Sequence, residues 1–558
     1  MDICRKVDGI PLAIELAAAH VNILQVSEIL NQLQSSFALL STDNRTTLSH
    51  HQTLRASLDW SWGLLNEAEQ KFMRQLAVFA GGWTLESAQA VCDGDVLGLT
   101  SALVKKSLIV VDQESGHVTR YRFHEIVHQY TREKLLVSGE EASIRSLHLK
   151  YFLKLSELAE PAFHGPQQLE WFTRVNDERS NIRVALEQAS RMDLETGSYL
   201  TGRLIHYWIN FDLREGLSWT TEFVQKTDPK IHSHGRAKAL LAHGNILWYL
   251  QQFDAAYSAA DECIALFRAC GDRQGEIDGM MLKGIIMQHL EGMEQKIEFH
   301  KQALALAQSI GDIWRQAIAL SALGWDQRDP QRSRACWEKA NAIFRQVGDW
   351  RNLAFTLSIL GYTVLSSGEI ESAQKLLDES LALNRRMNDR NGMEFVLTAK
   401  SQMALMNGEY EQARTFLQEW VVLAEEMGNR MGRLWARARL GYVTLREGNV
   451  AEAQRILVEA LEAFQKDRNK SGLAFVFDKL ASLYVAIDKA EYAAHLIGWS
   501  DTTRKEIGNP RPRLEQVDVD RDIETIREKI GSATFEVACN SGRKMALDEV
   551  IAFVLDGS

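Results

Sequence analysis

The feature that most constrains this chain is a period. A corner residue with a short polar side chain recurs at Asp272, Asp312, Asp349, Asp389, Asn429 and Asn469, in steps of 40, 37, 40, 40 and 40. A small residue recurs in register with it at Gly244, Gly284, Gly324, Gly361, Ser401, Gly441 and Ala481, in steps of 40, 40, 37, 40, 40 and 40. Both series place one three-residue deletion between Gly324 and Asp349, where the loop WDQRDPQRS carries Pro330. A fixed period demands stacked like units, each burying its apolar face against its neighbours; a generic bundle gives no reason for one.

Each unit reads as two helices. The first carries the small residue, as in FTLSILGYTVLSSG, and the second is amphipathic, as in EIESAQKLLDESLALNRRM. Gly368, Gly408 and Gly448 close first helices, where a left-handed cap favours glycine. Allowing for the deletion, Ala256, Lys296, Ser333, Ala373, Ala413, Ala453 and Ala493 follow the small position by twelve residues. Cys263, Ala303, Ala340, Ser380, Trp420, Ala460 and Ser500 follow it by nineteen. Small residues there let antiparallel helices approach closely; Lys296 and Trp420 depart, so irregular packing is expected in those two units. The offsets resemble the tetratricopeptide repeat, stretched from about 34 residues to 40.

The expected fold is mainly α, with a winged-helix domain followed by a tetratricopeptide-like α-solenoid superhelix whose concave face is lined by first helices. Aromatic residues sit on those helices. Phe355, Phe395, Trp435 and Phe475 stand six residues before the small position, and Trp325, Tyr362 and Tyr442 one after it. Two readings stay open: packing between repeats, or a peptide- or ligand-binding groove with Phe355, Tyr362, Phe395, Trp435, Tyr442 and Phe475 as candidates.

Ahead of the repeats, TLRASLDWSWGLLNEAEQKFMRQLAVFAGGWTLESAQAVC reads as three helices, with Asn66 and Thr84 as N-caps of the second and third. VLGLTSALVKKSL is a further helix, SLIVVDQESGHVTRYRFH a β-hairpin, and EIVHQYTREKLL a helix again. Helices followed by a hairpin make a winged helix. LIVVD, ending at Asp112, also looks like a Walker B strand. No G-x-x-x-x-G-K-[ST] occurs to supply its phosphate cradle, so a wing strand is the better reading.

At this point the sequence resembles the STAND signal-transduction NTPases, which include plant disease-resistance (NB-ARC) proteins and large bacterial regulators. VDGIPLAIELAAAHV looks like the family's G-x-P motif, with Gly9, Pro11, Leu12 and Ala13. RYRFHEIVHQY resembles the end of its winged helix, Phe123, His124 and Glu125 taking the positions of a Met-His-Asp motif. EWFTRVNDERSNIRVAL resembles the linker of bacterial repeat-bearing members, and EYAAHLIGWSDTTRKEIG to GRKMALDEVIAFVL their tail, so the likeness covers nearly the whole chain. It implies that Pro11 packs near the adenine of bound ADP and that His124 reaches its β-phosphate. The chain departs from the pattern: the nucleotide-binding α/β core with Walker A and B is missing and Glu125 replaces Asp. No cofactor is therefore expected in this chain alone, ADP or ATP only where the full module is present, and no hydrolysis. A fragment starting at an internal Met and a regulator that lost its motor domain both fit.

The expected domains are a helical remnant of the ATPase module (1–48), the winged helix (49–138), a helical linker (139–235), the repeats (236–490) and a C-terminal helical cap (491–558). The expected function is a non-catalytic regulator. Its solenoid binds a protein, peptide or small ligand and controls a STAND-type nucleotide switch supplied in cis or in trans.

Two alternatives stand beside this reading. His124-Glu125-Ile126-Val127-His128 spells H-E-x-x-H, which on a helix offers His124 and His128 to zinc with Glu125 activating water and His148 as a distant third ligand. The string begins right after a strand, where a zincin needs it mid-helix, and no Met-turn accompanies it, so a zinc peptidase is the remote reading. A DNA-binding transcriptional regulator would read a groove through VLGLTSALVKKSL, with Lys105 and Lys106. Residues 1–150 hold 14 Lys+Arg against 17 Asp+Glu, a charge of −3, which leaves −8 of the total −11 for the rest. That is a poor footprint, and nucleic acid is not an expected partner. Six scattered cysteines without a C-x-x-C pair, Glu15 interrupting the first apolar run, and no uncharged apolar run of 18 residues point to a cytoplasmic protein without a membrane partner.

Overall fold

The computed structural model describes residues 25–28, 55, 58–59, 62–106, 108–112, 118–290, 293–326 and 329–556. Gly9 and Pro11 lie outside them, as does most of the helix expected before Asn66. The chain divides into two compact units, Met1–Ala319 and Leu320–Ser558.

The first unit opens with α1 (Glu67–Leu76), α2 (Leu85–Val91) and α3 (Val96–Lys105), then β1 (Val110–Asp112), β2 (Arg120–Arg122) and α4 (Glu125–Ser138). The caps read from the sequence are formed. Asn66 accepts from the Glu69 amide while Glu69 accepts from that of Asn66, and Thr84 and Ser87 do the same. The hairpin is antiparallel, with Val110 opposite Arg122, and Trp83 exchanges two 2.8 Å backbone hydrogen bonds with Tyr121 beside it. Phe72, Leu76, Phe79, Trp83, Leu103, Ile109 and Phe123 form the core beneath. LIVVD is thus paired in a hairpin.

A run of helices follows: α5 (Glu141–Ala162), α6 (Gln168–Asp177), α7 (Arg179–Met192), α8 (Leu194–Arg203), α9 (Ile205–Phe211) and α10 (Leu213–Lys226). The repeats begin with α11 (His234–Tyr249), α12 (Phe253–Cys270), α13 (Arg273–Met287), α14 (Met293–Ser309) and α15 (Ile313–Asp326). The boundary between the units falls within α15, beside the shortened repeat.

The second unit continues the pattern with α16 (Pro330–Val347), α17 (Trp350–Ser366), α18 (Ile370–Met387), α19 (Arg390–Met406), α20 (Tyr410–Glu426), α21 (Arg430–Arg446), α22 (Val450–Lys466), α23 (Lys470–Ala486) and α24 (Ala490–Glu506). It ends with α25 (Arg513–Ile530), α26 (Ser532–Gly542) and α27 (Leu547–Asp556). The protein is mainly α, with tetratricopeptide-like helical repeats.

Both periodic series have a physical cause. The corner residues are N-caps: Asp272, Asp312, Asp349, Asp389, Asn429 and Asn469 accept from the amides of Gly275, Arg315, Asn352, Gly392, Gly432 and Gly472. The residue before each is left-handed, at Gly271, Gly311, Gly348, Asn388, Gly428 and Arg468. The small residues make room for the second helix of their own unit. A Cβ at Gly361 would come within 2.9 Å of Leu377, one at Gly441 within 3.0 Å of Leu457, and one at Gly284 or Gly324 would overlap His300 or Trp337. The two departures are absorbed: Lys296 is buried with its amine on Gln288 Oε1 at 3.0 Å, Trp420 is buried, and neither α14 nor α20 is broken.

Candidate functional site

The first helices α17, α19, α21 and α23 stand side by side in the second unit, and their aromatic series divides sharply. Phe355 and Phe395 are 49% and 40% exposed, and Trp325 is 56% exposed. Tyr362 is half-buried, 6.4 Å from Phe395 between ring centres, and Trp435 is half-buried, 5.2 Å from Phe464 and 5.3 Å from Phe475. Tyr442 and Phe475 are buried, at 3% and 1%. Trp435, Tyr442 and Phe475 thus pack against neighbouring side chains, while Phe355 and Phe395 are exposed.

Helix α25 covers this C-terminal part of the face. Its buried residues are Leu514, Glu515, Val519, Asp522 and Ile526, one stripe of the helix. Leu514 joins the apolar core of α17–α21, and Glu515 accepts from Arg439 at 3.0 Å. Asp518 lies 3.4 Å from the Lys479 amine and 3.7 Å from Arg446, and Ser482 donates to Asp522. Arg521 donates to the Tyr442 hydroxyl at 3.3 Å. Behind this line, buried Asp478 accepts from Arg504 at 3.0 Å and from Arg511 at 2.8 and 2.9 Å. The cations also lie over rings: Lys479 is 4.0 Å from the centre of Tyr442, and Arg439 is 4.8 Å from that of Phe475.

These charges hold one another. Burial pulls the Lys479 amine down, but Tyr442, Asp518, Glu515 and Asp478 together keep it above its ordinary value. Burial pushes the Asp518 carboxyl up, and Lys479 leads the groups that bring it below the usual range. Asp522, with a hydroxyl as its partner, is left raised by burial. Sequence reasoning missed this cluster. The pairs that join it across helices are 26 to 79 residues apart, and no local pattern links an arginine of one repeat to an acid in the tail.

The first unit carries a second covered face. The turn after α5 brings His164 to Trp314 on α15, with 3.9 Å between ring centres, and to His206 at 4.5 Å. Glu160 accepts from Lys238 on α11 at 2.7 Å, and Arg315 pairs with Asp278 at 2.7 Å and Asp312 at 2.9 Å. Burial, reinforced by His206, Arg315 and Lys238, holds His164 well below its usual value.

The H-E-x-x-H residues do not share a helical face. His124 is the N-cap of α4, with extended backbone, and only Glu125 onward is helical. The His128 ring donates from Nε2 to the Ala77 carbonyl at 3.0 Å, stacks on Phe123, and is kept neutral chiefly by burial. His148 is buried between Phe79 and Phe152, its value lowered to about 3 chiefly by burial. Among the described residues no group of three or more His, Cys, Asp or Glu side chains is placed to hold a metal ion. Gly9 and Pro11, the other two residues of the expected nucleotide site, lie outside the described residues. Lys106, one of the two lysines offered to DNA, is tied to buried Glu69 at 2.6 Å. The hairpin docks on α7: Arg120 donates to buried Glu178 at 2.5 Å, and Asn181 bonds the backbone of Ala80 and Gly82 at 2.8 and 2.9 Å. Among the described residues no helix is long and apolar enough to cross a membrane.

No protein-family model matches the chain. A Mycobacterium tuberculosis protein provisionally named an HTH-type transcriptional regulator is 33% identical over 369 residues, 62% of this chain and 41% of that protein. An uncharacterised protein of the same organism is 37% identical over 171 residues, 29% of this chain and 43% of its own length. The chain thus spans less than half the length of these relatives. Among solved structures, a STAND protein with a tetratricopeptide repeat sensor from Pyrococcus horikoshii matches with a TM-score of 0.55 at 14% identity, covering 95% of this chain and 74% of that one. That likeness is one of fold.

Proposed function

We propose that this chain is the sensing and relay part of a STAND-type regulator and is not itself an enzyme. Its repeats bind a protein, peptide or small ligand on the first-helix face. The helix–hairpin module, read as a winged helix, relays the event through α5–α7 to a nucleotide domain in cis or in trans. The observation that carries the reading is the pair Phe355 and Phe395. They are exposed on successive first helices, where the same series further along is half-buried at Trp435 and buried at Phe475. His124 and Pro11 belong to the nucleotide side of the reading: a neutral or protonated imidazole can give an N–H to a phosphate.

The test is a selection of random phage-displayed peptides on the full chain. Binders should lose about tenfold or more in affinity for the Phe355→Ser, Phe395→Ser chain, the equivalent of about 1.4 kcal/mol. Binders indifferent to both changes would remove this face from the reading.

The name given to the mycobacterial relatives favours a second reading, a transcriptional regulator that itself contacts DNA. Lys106 is held by Glu69, which leaves Lys105 as the one lysine of the two open to a phosphate backbone, so the relay reading is preferred. A salt-dependent shift of a random-sequence duplex by this chain would reverse that preference.

A further inference from the structure

Helix α25 is seated on charge. Of the residues it turns inward, Glu515, Asp518 and Asp522 are carboxylates at spacings of three and four, and Leu514, Val519 and Ile526 are the buried apolar ones. The face beneath is basic and aromatic, with Arg439 over Phe475, Lys479 over Tyr442, and Arg446 beside Asp518. Such a seat adds paired charges to an apolar core. Desolvating paired carboxylates and amines costs nearly what their attraction returns, so the hold is modest while the register is strict. An uncharged helix would be disfavoured, because Lys479 and Arg439 would be desolvated without Asp518 and Glu515.

Phe535, Ala538, Cys539, Val550, Ile551 and Val554 are buried in an apolar cluster with residues of α23 and α24, and Val519 and Ile526 of α25 join the same cluster; the inward carboxylates are what α25 adds to it. Gly498 and Gly542 bring α24 and α26 into backbone contact, where any Cβ would overlap a carbonyl. Helix α25 is bounded by left-handed glycines, Gly508 in the stretch before it and Gly531 directly after it. Local unfolding of α25 leaves a strand able to span the same two ends while α26 and α27 stay in place.

We propose that α25 is a resident, exchangeable occupant of a helix-binding groove. The face of α21 and α23 receives, in its place, an acidic amphipathic helix of a partner protein whose carboxylates repeat the spacing of Glu515, Asp518 and Asp522. The proposal goes beyond the ligand reading above, which concerns the open aromatic residues on α17 and α19, and it stands or falls separately from it.

The experiment is a fluorescence-anisotropy titration of a labelled peptide with the sequence Arg513–Ile530 into the full chain. It is repeated with a chain whose own α25 is weakened at two exposed positions, Glu524→Gly and Glu528→Gly. Saturable binding is expected, about tenfold tighter to the weakened chain, and about tenfold or more weaker when the peptide carries Glu515→Lys and Asp518→Lys. The peptide should still bind the Phe355→Ser, Phe395→Ser chain. Three results overturn the proposal: no binding to either chain, binding indifferent to the charge reversal, or loss of binding with the aromatic changes. Dimerisation of the weakened chain without peptide uptake would also overturn it, by making a second copy the occupant.

Discussion

The two units cover their first-helix faces with different chemistry. In the first, rings do the work: His164 lies on Trp314 with His206 across it, flanked by the paired cations Lys238 and Arg315. In the second, an acidic helix lies on Arg439, Arg446 and Lys479. Histidine follows the same division. Of the 15 histidines, His495 alone falls in the second unit. The first unit holds His128, His148, His164 and His243, all lowered chiefly by burial. One scaffold thus carries an acid-sensitive cover in one unit and a charge-matched one in the other.

The comparison can be broken at several points. The largest effect is expected from Asp478→Ala, which leaves Arg504 and Arg511 buried without their shared carboxylate; urea unfolding should show a loss of about 3–5 kcal/mol in the second unit and none in the first. Gly542→Ala comes next. It forces α26 off the His495 carbonyl and should cost about 1–3 kcal/mol, freeing the apolar cap rather than α25.

Acid should separate the units. The folded first unit keeps its buried histidines neutral, while the unfolded chain binds protons below the ordinary histidine value of 6.5. Stability is therefore lost as pH falls through that value, by about 1.4 kcal/mol per pH unit for each such histidine. Hydrogen exchange between pH 7 and pH 5 should show the first unit opening, and His164→Phe should lessen the slope. In the second unit Asp518, lowered by its partners, contributes fully above the ordinary carboxylate range and is lost only as pH falls below it. The smallest change in stability is expected from Phe355→Ser with Phe395→Ser, within about 0.5 kcal/mol because both rings are exposed.

What could be read from the sequence was what repeats or is local. The 40-residue period, the Asp and Asn corners, Gly368, Gly408 and Gly448, the N-caps at Asn66 and Thr84, and the hairpin all rest on contacts within a few residues or one unit. What escaped rests on long-range pairing. Arg439 and Glu515 are 76 residues apart, and nothing in either neighbourhood marks them as partners. Tyr442 and Phe475 therefore read as groove candidates, with the helix that buries their surroundings invisible in the pattern. His164 gave no signal, since a lone histidine in a turn has no period. H-E-x-x-H was legible as a remote zinc reading for a local reason: the string presumes a helix through both histidines, but it follows a strand, and the chain enters α4 only after His124.

The most direct test of the account is hydrogen–deuterium exchange on the full chain at neutral pH, comparing α25 with its neighbours α24 and α26. If the charged seat is an exchangeable cover over the face of α21 and α23, the α25 amides should exchange well before those of α24 and α26, and faster still in the presence of an acidic helical peptide. Protection of α25 equal to that of α24, unchanged by such a peptide, would show a fixed part of the core and contradict the account.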